Sequence, residues 1–156
     1  MKKPQPPFEF FPLATDTKPS VPMSDVPVHA GFPCPVDDAY MQQPIDLNKL
    51  LITHQAASYI VRVKGDSMIE EGIEEGDLLV VDRDLLPTEK TLSVCMFRGE
   101  FALKRIVQSE GRVSLMAGNK KYKPIELAED EELKVFGVVR WVIKKKYWAY
   151  VVCRLL

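Results

Sequence analysis

From Tyr59 onward, apolar side chains recur in short runs, most with a period near two, and turn residues separate the runs. Tyr59 to Lys64, Thr91 to Phe97, Glu100 to Val107 and Arg112 to Ala117 predict strands, and Leu78-Leu79-Val80-Val81 predicts a short buried one. Leu133 to Ile143 is an almost continuous apolar strand. Gly137 stands inside it, where a bulge or a close backbone approach is expected. Arg98-Gly99 has the length of a two-residue hairpin loop, and Ser109-Glu110-Gly111 is a second turn signal. One stretch departs from this pattern. In residues 45 to 52, IDLNKLLI, the leucines Leu47, Leu50 and Leu51 fall at helical spacing behind Asp46, a residue suited to cap a helix N-terminus. A short helix is predicted there, docking the end of the preceding segment on the core. The fold class is therefore mostly β with one short helix.

Residues 1–44 read differently. Ten of the twelve prolines lie there, with a single glycine, Gly31. Fixed φ angles and missing N–H donors exclude a helix and predict an extended, weakly packed N-terminal arm. Within it, Val26-Pro27-Val28-His29-Ala30-Gly31-Phe32-Pro33 places a small pair, Ala30-Gly31, between larger side chains. An extended segment with small residues at one bond suits a protease cleft, which must bring its nucleophile onto a main-chain carbonyl. A linker with an incidental Ala-Gly fits the same residues. The organisation expected is an arm over 1–44, a β domain over 45–146 and a tail over 147–156.

Composition narrows the classes. A chain of 156 residues fits one domain, and a formal charge of −1 offers no global attraction to nucleic acid. Prolines interrupt the apolar residues of MKKPQPPFEFFP, so neither a secretory signal nor a membrane span is predicted. Cys34, Cys95 and Cys153 are odd in number and widely spaced, which argues against a disulfide framework or a zinc site and fits a reducing cytoplasm.

Two residues carry candidate chemistry. Ser67 follows a predicted strand on the Gly65-Asp66-Ser67 turn, a rigid and accessible place for a nucleophile. Lys104 shares one face of its strand with Ala102 and Ile106, and burial there would favour the neutral amine that a lysine general base requires. A lysine whose stem packs while its head reaches water fits the same pattern. Glu70, Glu71, Glu74 and Glu75 read as a solvated rim, and His54 as a surface or capping residue rather than a ligand or base. Lys144 to Lys146 lead into the aromatic tail, which reads as a last strand or a partner surface rather than a nucleic-acid contact.

Gly65-Asp66-Ser67-Met68, Gly76 to Asp82, Phe101-Ala102-Leu103-Lys104-Arg105, Asn119-x-x-Tyr122-x-Pro124-Ile125 and Val135 to Val139 occur in one order. In that order they resemble the LexA/UmuD family of self-cleaving Ser-Lys proteins, over about residues 28 to 144. Lys104 stands 37 positions after Ser67, as the family pattern requires, and Ala30-Gly31 lies where the family's scissile bond lies. Thr91-Leu92-Ser93 departs from the family's turn at that place, the arm before Ala30 is longer than in the family, and the tail past Lys146 has no counterpart.

The resemblance implies a LexA/UmuD C-terminal-domain-like, signal-peptidase-like β fold. Ser67 would be the nucleophile, Lys104 its base, and the backbone N–H groups of Asp66 and Ser67 the oxyanion hole, acting on Ala30-Gly31 with no cofactor and no metal. It further implies a cytoplasmic homodimer, cleavage stimulated by RecA nucleoprotein filaments during the SOS response, and a shortened product that joins an error-prone (UmuC-like) DNA polymerase subunit in translesion synthesis. Direct sequence-specific DNA binding is not expected, because residues 1–44 are too proline-rich for a helix-turn-helix. Two other readings compete with this one. A signal peptidase would need a membrane anchor, and a non-catalytic binding module of the same fold would dock on a polymerase or on RecA without cutting.

Overall fold

The computed structural model describes residues 9–12, 20–24 and 41–146, with side chains from Ile45 to Lys146. Ala30-Gly31, His29, Cys34, Cys153 and the tail 147–156 lie outside the described residues. Ten strands, in chain order, are β1 (Glu9–Pro12), β2 (Ser20–Ser24), β3 (Met41–Asp46), β4 (Ser58–Arg62), β5 (Leu78–Asp82), β6 (Leu92–Phe97), β7 (Glu100–Ser109), β8 (Arg112–Met116), β9 (Ile125–Glu126) and β10 (Leu133–Ile143). The described residues also hold one helix, α1 (Leu47–Leu51), and two short 3₁₀ turns, at Gln55–Ala57 and Ile69–Glu71. The fold is mostly β, as the alternating pattern predicts. Every strand pair is antiparallel.

Eight strands form one sheet in the order β1-β4-β5-β10-β6-β7-β8-β9, and β2 pairs with β3 separately. β10, the last strand among the described residues, fills the position between β5 and β6, so the sheet is completed only when residues 133–143 return. Its register shifts twice, between Val135 and Gly137 against β6 and between Val139 and Trp141 against β5. Gly137 is required by a close approach: a Cβ there would stand 2.7 Å from Val81 Cγ1 and 2.8 Å from the Asp82 carbonyl oxygen. The β6–β7 hairpin turns through Arg98 at φ 50° and Gly99 at φ 79°. Two successive positive φ angles match the twist of the flanking strands.

Alternation along the strands builds two apolar clusters. One gathers Val61, Val63, Met68, Ile73, Leu79, Val81, Val94 and Leu103. The other, on the opposite face of β6 and β7, gathers Cys95, Phe97 and Leu115, with Ala102 and Ile106 packed against them. Each fully buried aliphatic side chain contributes roughly 1.5–3 kcal/mol.

Asp46 caps α1 as the sequence predicts: its Oδ1 accepts from the backbone N–H groups of Asn48, at 2.9 Å, and Lys49, at 3.3 Å. The docking expected of this helix is not what the structure shows. Leu47 and Leu50 are exposed, at 37% and 46%, and α1 buries no residue. Five residues make little more than one turn, too short to carry a stripe that could reach the core. No helix among the described residues is long and apolar enough to cross a membrane.

Candidate active site

Ser67 lies in a segment fastened at both ends. Upstream, the Val63 N–H donates to the Asp77 carbonyl and the Gly76 N–H to that of Val63, both at 2.9 Å, which extends the β4–β5 contact to the start of the turn. Gly65 then takes φ +91°, a conformation that a side chain disfavours. Downstream, Met68 and Ile73 are buried, at 2% and 1% exposure, and the Ile73 N–H donates to the Met68 carbonyl. Half-buried Ser67 therefore stands between a turn and an apolar anchor. Glu70, Glu71, Glu74 and Glu75 are exposed, as a solvated rim predicts, and two of them carry ion pairs: Glu71 with Arg105 at 2.8 Å and Glu74 with Lys144 at 3.1 Å.

A second segment, residues 118–122, clamps this turn. The buried Asn119 side chain donates from Nδ2 to the Asp66 carbonyl at 2.8 Å, and its Oδ1 accepts the Lys121 N–H at 3.0 Å. The Tyr122 hydroxyl donates to Asp66 Oδ1 at 2.5 Å. The Gly118 N–H points at Met68 Sδ, 3.2 Å away, while the Gly118 carbonyl accepts from the Glu70 N–H at 2.7 Å. The Tyr122 hydrogen bond, ahead of the Lys121 charge, holds the Asp66 carboxyl below its ordinary range, and the same carboxylate holds the Tyr122 phenol above its own.

Lys104 sits in the middle of β7, directly across from Ser93 of β6. It is only 8% exposed, so the apolar face predicted around it is present and the snorkelling alternative does not describe it. Burial pushes its pKa below the ordinary 10.5, against a smaller opposing influence from Cys95. The Cys95 thiol is itself pushed up to about 11 by burial. Lys104 Nζ lies 5.8 Å from the centre of the Tyr122 ring. Tyr122 thus touches both candidate elements, the Asp66–Ser67 turn through its hydroxyl and the lysine through its ring.

Sequence reasoning singled out Asn119 and Tyr122 only as part of a motif, without a role. Their spacing as a loop was legible, but not its reach across 53 and 56 positions to Asp66. His54 was read as a surface or capping residue. It precedes the Gln55–Ala57 turn without a side-chain cap bond, and its Nδ1 meets Oδ2 of the buried Asp82 at 2.7 Å. His54, Asp82 and Asp84 bring their ligand atoms within 4.8 Å of one another, the described residues closest to a metal-holding group. Asp82 Oδ1 already accepts the Asp84 N–H, so the existing bonds occupy both of its oxygens.

With this geometry, the sequence matches the Peptidase S24-like family over residues 22–140. Protein SamA of Salmonella typhimurium is 40% identical over 116 residues, 74% of this chain and 79% of that one. Protein MucA of Escherichia coli is 35% identical over 121 residues, covering 77% and 82%, and a LexA repressor 2 of Pseudomonas syringae is 33% identical over 88 residues, covering 56% and 44%. The chain belongs to the Peptidase S24-like family and is a UmuD-like member of its LexA/UmuD branch. It is, in coarse terms, an SOS-related protein of the LexA/UmuD type.

Proposed function

We propose that the chain is a self-cleaving serine endopeptidase that cuts its own Ala30-Gly31 bond with Ser67 as nucleophile and Lys104 as general base. The observation that carries this reading is the burial of Lys104 beside Tyr122, which is also bonded to the turn that bears Ser67. Burial disfavours the ammonium and so raises the share of neutral amine, the form that can accept a proton. Lys104 Nζ takes the Ser67 hydroxyl proton as Oγ bonds to the Ala30 carbonyl carbon. The carbonyl oxygen becomes an oxyanion facing the backbone N–H groups of Asp66 and Ser67. The C–N bond then breaks, Lys104 returns the proton to the Gly31 amine, and water hydrolyses the Ser67 ester with Lys104 again taking up a proton. A positioned base contributes typically 10²–10⁴-fold.

In this reading the arm over 1–44 is the tethered substrate and the β domain over 45–146 the enzyme, and the tail over 147–156 is assigned no role. The cytoplasmic homodimer cleaves itself when RecA filaments on single-stranded DNA stimulate it in the SOS response. The shortened form serves as accessory subunit of an error-prone translesion polymerase. Mass spectrometry of the purified chain incubated with RecA, ATP and single-stranded DNA tests this. Two fragments divided after Ala30 are expected, at a rate that rises with pH through the lowered Lys104 pKa, and Ser67→Ala or Lys104→Ala should each abolish them. A chain that stays intact at every pH, with or without RecA, would leave only a binding module of the same fold.

A further inference from the structure

The face of the sheet that carries Lys104 holds a polar group with no part in the chemistry above. Ser93 on β6 is fully buried, and among the described residues its Oγ has no hydrogen-bond partner. A hydroxyl shut away from water without a partner costs free energy, and native structures rarely leave one so without a reason. Ser93 is the direct cross-strand partner of Lys104. Residues so paired project to the same face with Cβ atoms about 4.5–5.5 Å apart. Its described side-chain neighbours on that face offer no free partner: Ala102 and Ile106, diagonal to it on β7, and Val138, opposite it on β10, are apolar, and the Cys95 thiol donates to the Ala102 carbonyl at 3.5 Å.

We propose that Ser93 is a positioning residue for Lys104, its hydroxyl oxygen accepting one N–H of the lysine amine so that the lone pair is aimed at the Ser67 hydroxyl. The inference rests on the reading of Lys104 as base. A neutral amine has two N–H bonds and one lone pair, and free rotation about Cε–Nζ would spread the lone pair over directions useless to Ser67. A fixed acceptor on one side removes that freedom. In the structure the amine stands beside the Tyr122 ring and makes no hydrogen bond to Ser93 Oγ, so the proposed contact requires a rotation within the flexible four-carbon stem. The other titratable groups facing the amine are Cys95 from β6 and Tyr122 from the 118–122 segment, with Asp66 behind Tyr122.

Ser93→Thr and Ser93→Val test this, because the two replacements have nearly the same volume and differ in the hydroxyl alone. Two readouts are compared: the pH profile of self-cleavage, and the titration of Lys104 followed by NMR of its ¹³Cε in a Ser67→Ala background, where the chain stays whole. Ser93→Thr should stay within about threefold of wild type, and Ser93→Val should lose about tenfold or more in plateau rate at matched melting temperature. The Lys104 midpoint should fall further in Ser93→Val, because a hydroxyl acceptor favours the ammonium over the amine. Equal rates and equal Lys104 midpoints for the two variants would overturn the proposal. Should the wild type never cleave, the proposed function fails, yet the Lys104 titration still decides whether Ser93 meets the amine. If both variants unfold, Ser93→Ala against the wild type repeats the comparison without added volume.

Discussion

Asn119→Ala isolates the clamp that fixes the Ser67 turn. The side chain makes two well-formed neutral hydrogen bonds, Nδ2–H to the Asp66 carbonyl at 2.8 Å and Oδ1 from the Lys121 N–H at 3.0 Å. A third contact, to Asp66 Oδ2, is at the 3.5 Å limit and is not counted. Each counted bond is worth about 0.5–1.5 kcal/mol net, and Asn119 is 5% exposed, so water replaces it poorly in the folded chain. The expected loss is about 1–3 kcal/mol, read from urea unfolding in a Ser67→Ala background with an unchanged denaturant slope. A domain of ordinary stability remains folded after such a loss. A fall of tenfold or more in self-cleavage, measured with Ser67 restored, would then report the geometry of the turn rather than unfolding. Lys120→Ala, at an exposed neighbour, should stay within about 0.5 kcal/mol of the parent. If Asn119→Ala matches Lys120→Ala in both stability and rate, Asn119 does not hold the turn.

Three further outcomes follow from the same contacts. Tyr122→Phe keeps the ring beside Lys104 but removes the hydroxyl that most lowers the Asp66 pKa. The Asp66 carboxyl should then titrate nearer its ordinary 3.8 by NMR, and the stability that this group supplies above that pH, lost in the wild type as pH falls through its lowered pKa, should shrink, with Lys121 and Asn119 still lowering the pKa; an unmoved Asp66 midpoint refutes the bond. Lys104→Met removes a group whose ammonium burial penalises. The wild type carries that penalty in full below its lowered pKa and sheds it as pH rises toward 10.5, so the variant should be more stable at neutral pH by a margin that closes on the way to 10.5; a margin independent of pH in urea unfolding refutes the assignment. Gly137→Ala puts a methyl 2.8 Å from the Asp82 carbonyl oxygen and must push β10 off β5, at a cost of about 1–3 kcal/mol; an unchanged melting temperature refutes the close approach.

Local chemistry was legible in the sequence, and long-range placement was not. Asp46 could be read as a cap, Arg98-Gly99 as a tight hairpin and Leu133 to Ile143 as one strand, because a handful of adjacent residues decides each of these. Period two along β7 fixes the face of Lys104 before any partner strand is known, but it fits a snorkelling amine as well as a buried one, and only the packing of the sheet decides for burial. Nothing in the pattern places β10 between β5 and β6, since that position depends on closing a chain of dozens of residues. The leucines of α1 show the reverse failure: helical spacing told which residues share a face, but not that the face is left uncovered in so short a helix. His54–Asp82 went unread because a single histidine carries no period, and its partner lies 28 positions away at the end of a buried strand.

The two candidate groups are held by unlike means, and this decides where rate and stability separate. Lys104 belongs to a ten-residue strand hydrogen-bonded on both sides, to β6 and to β8, so its backbone moves only if the sheet does. Ser67 belongs to a turn whose position depends on a few contacts with residues 118–122, several of them at half-exposed or exposed side chains. Local opening draws on such weakly buried contacts long before it reaches a sheet interior. Substitutions in 118–122 should therefore change the distance between serine and lysine at a cost, about 1–3 kcal/mol at Asn119, that leaves the chain folded, whereas substitutions at buried Leu103 of β7 or Leu115 of β8 should unfold the chain before they retune the site.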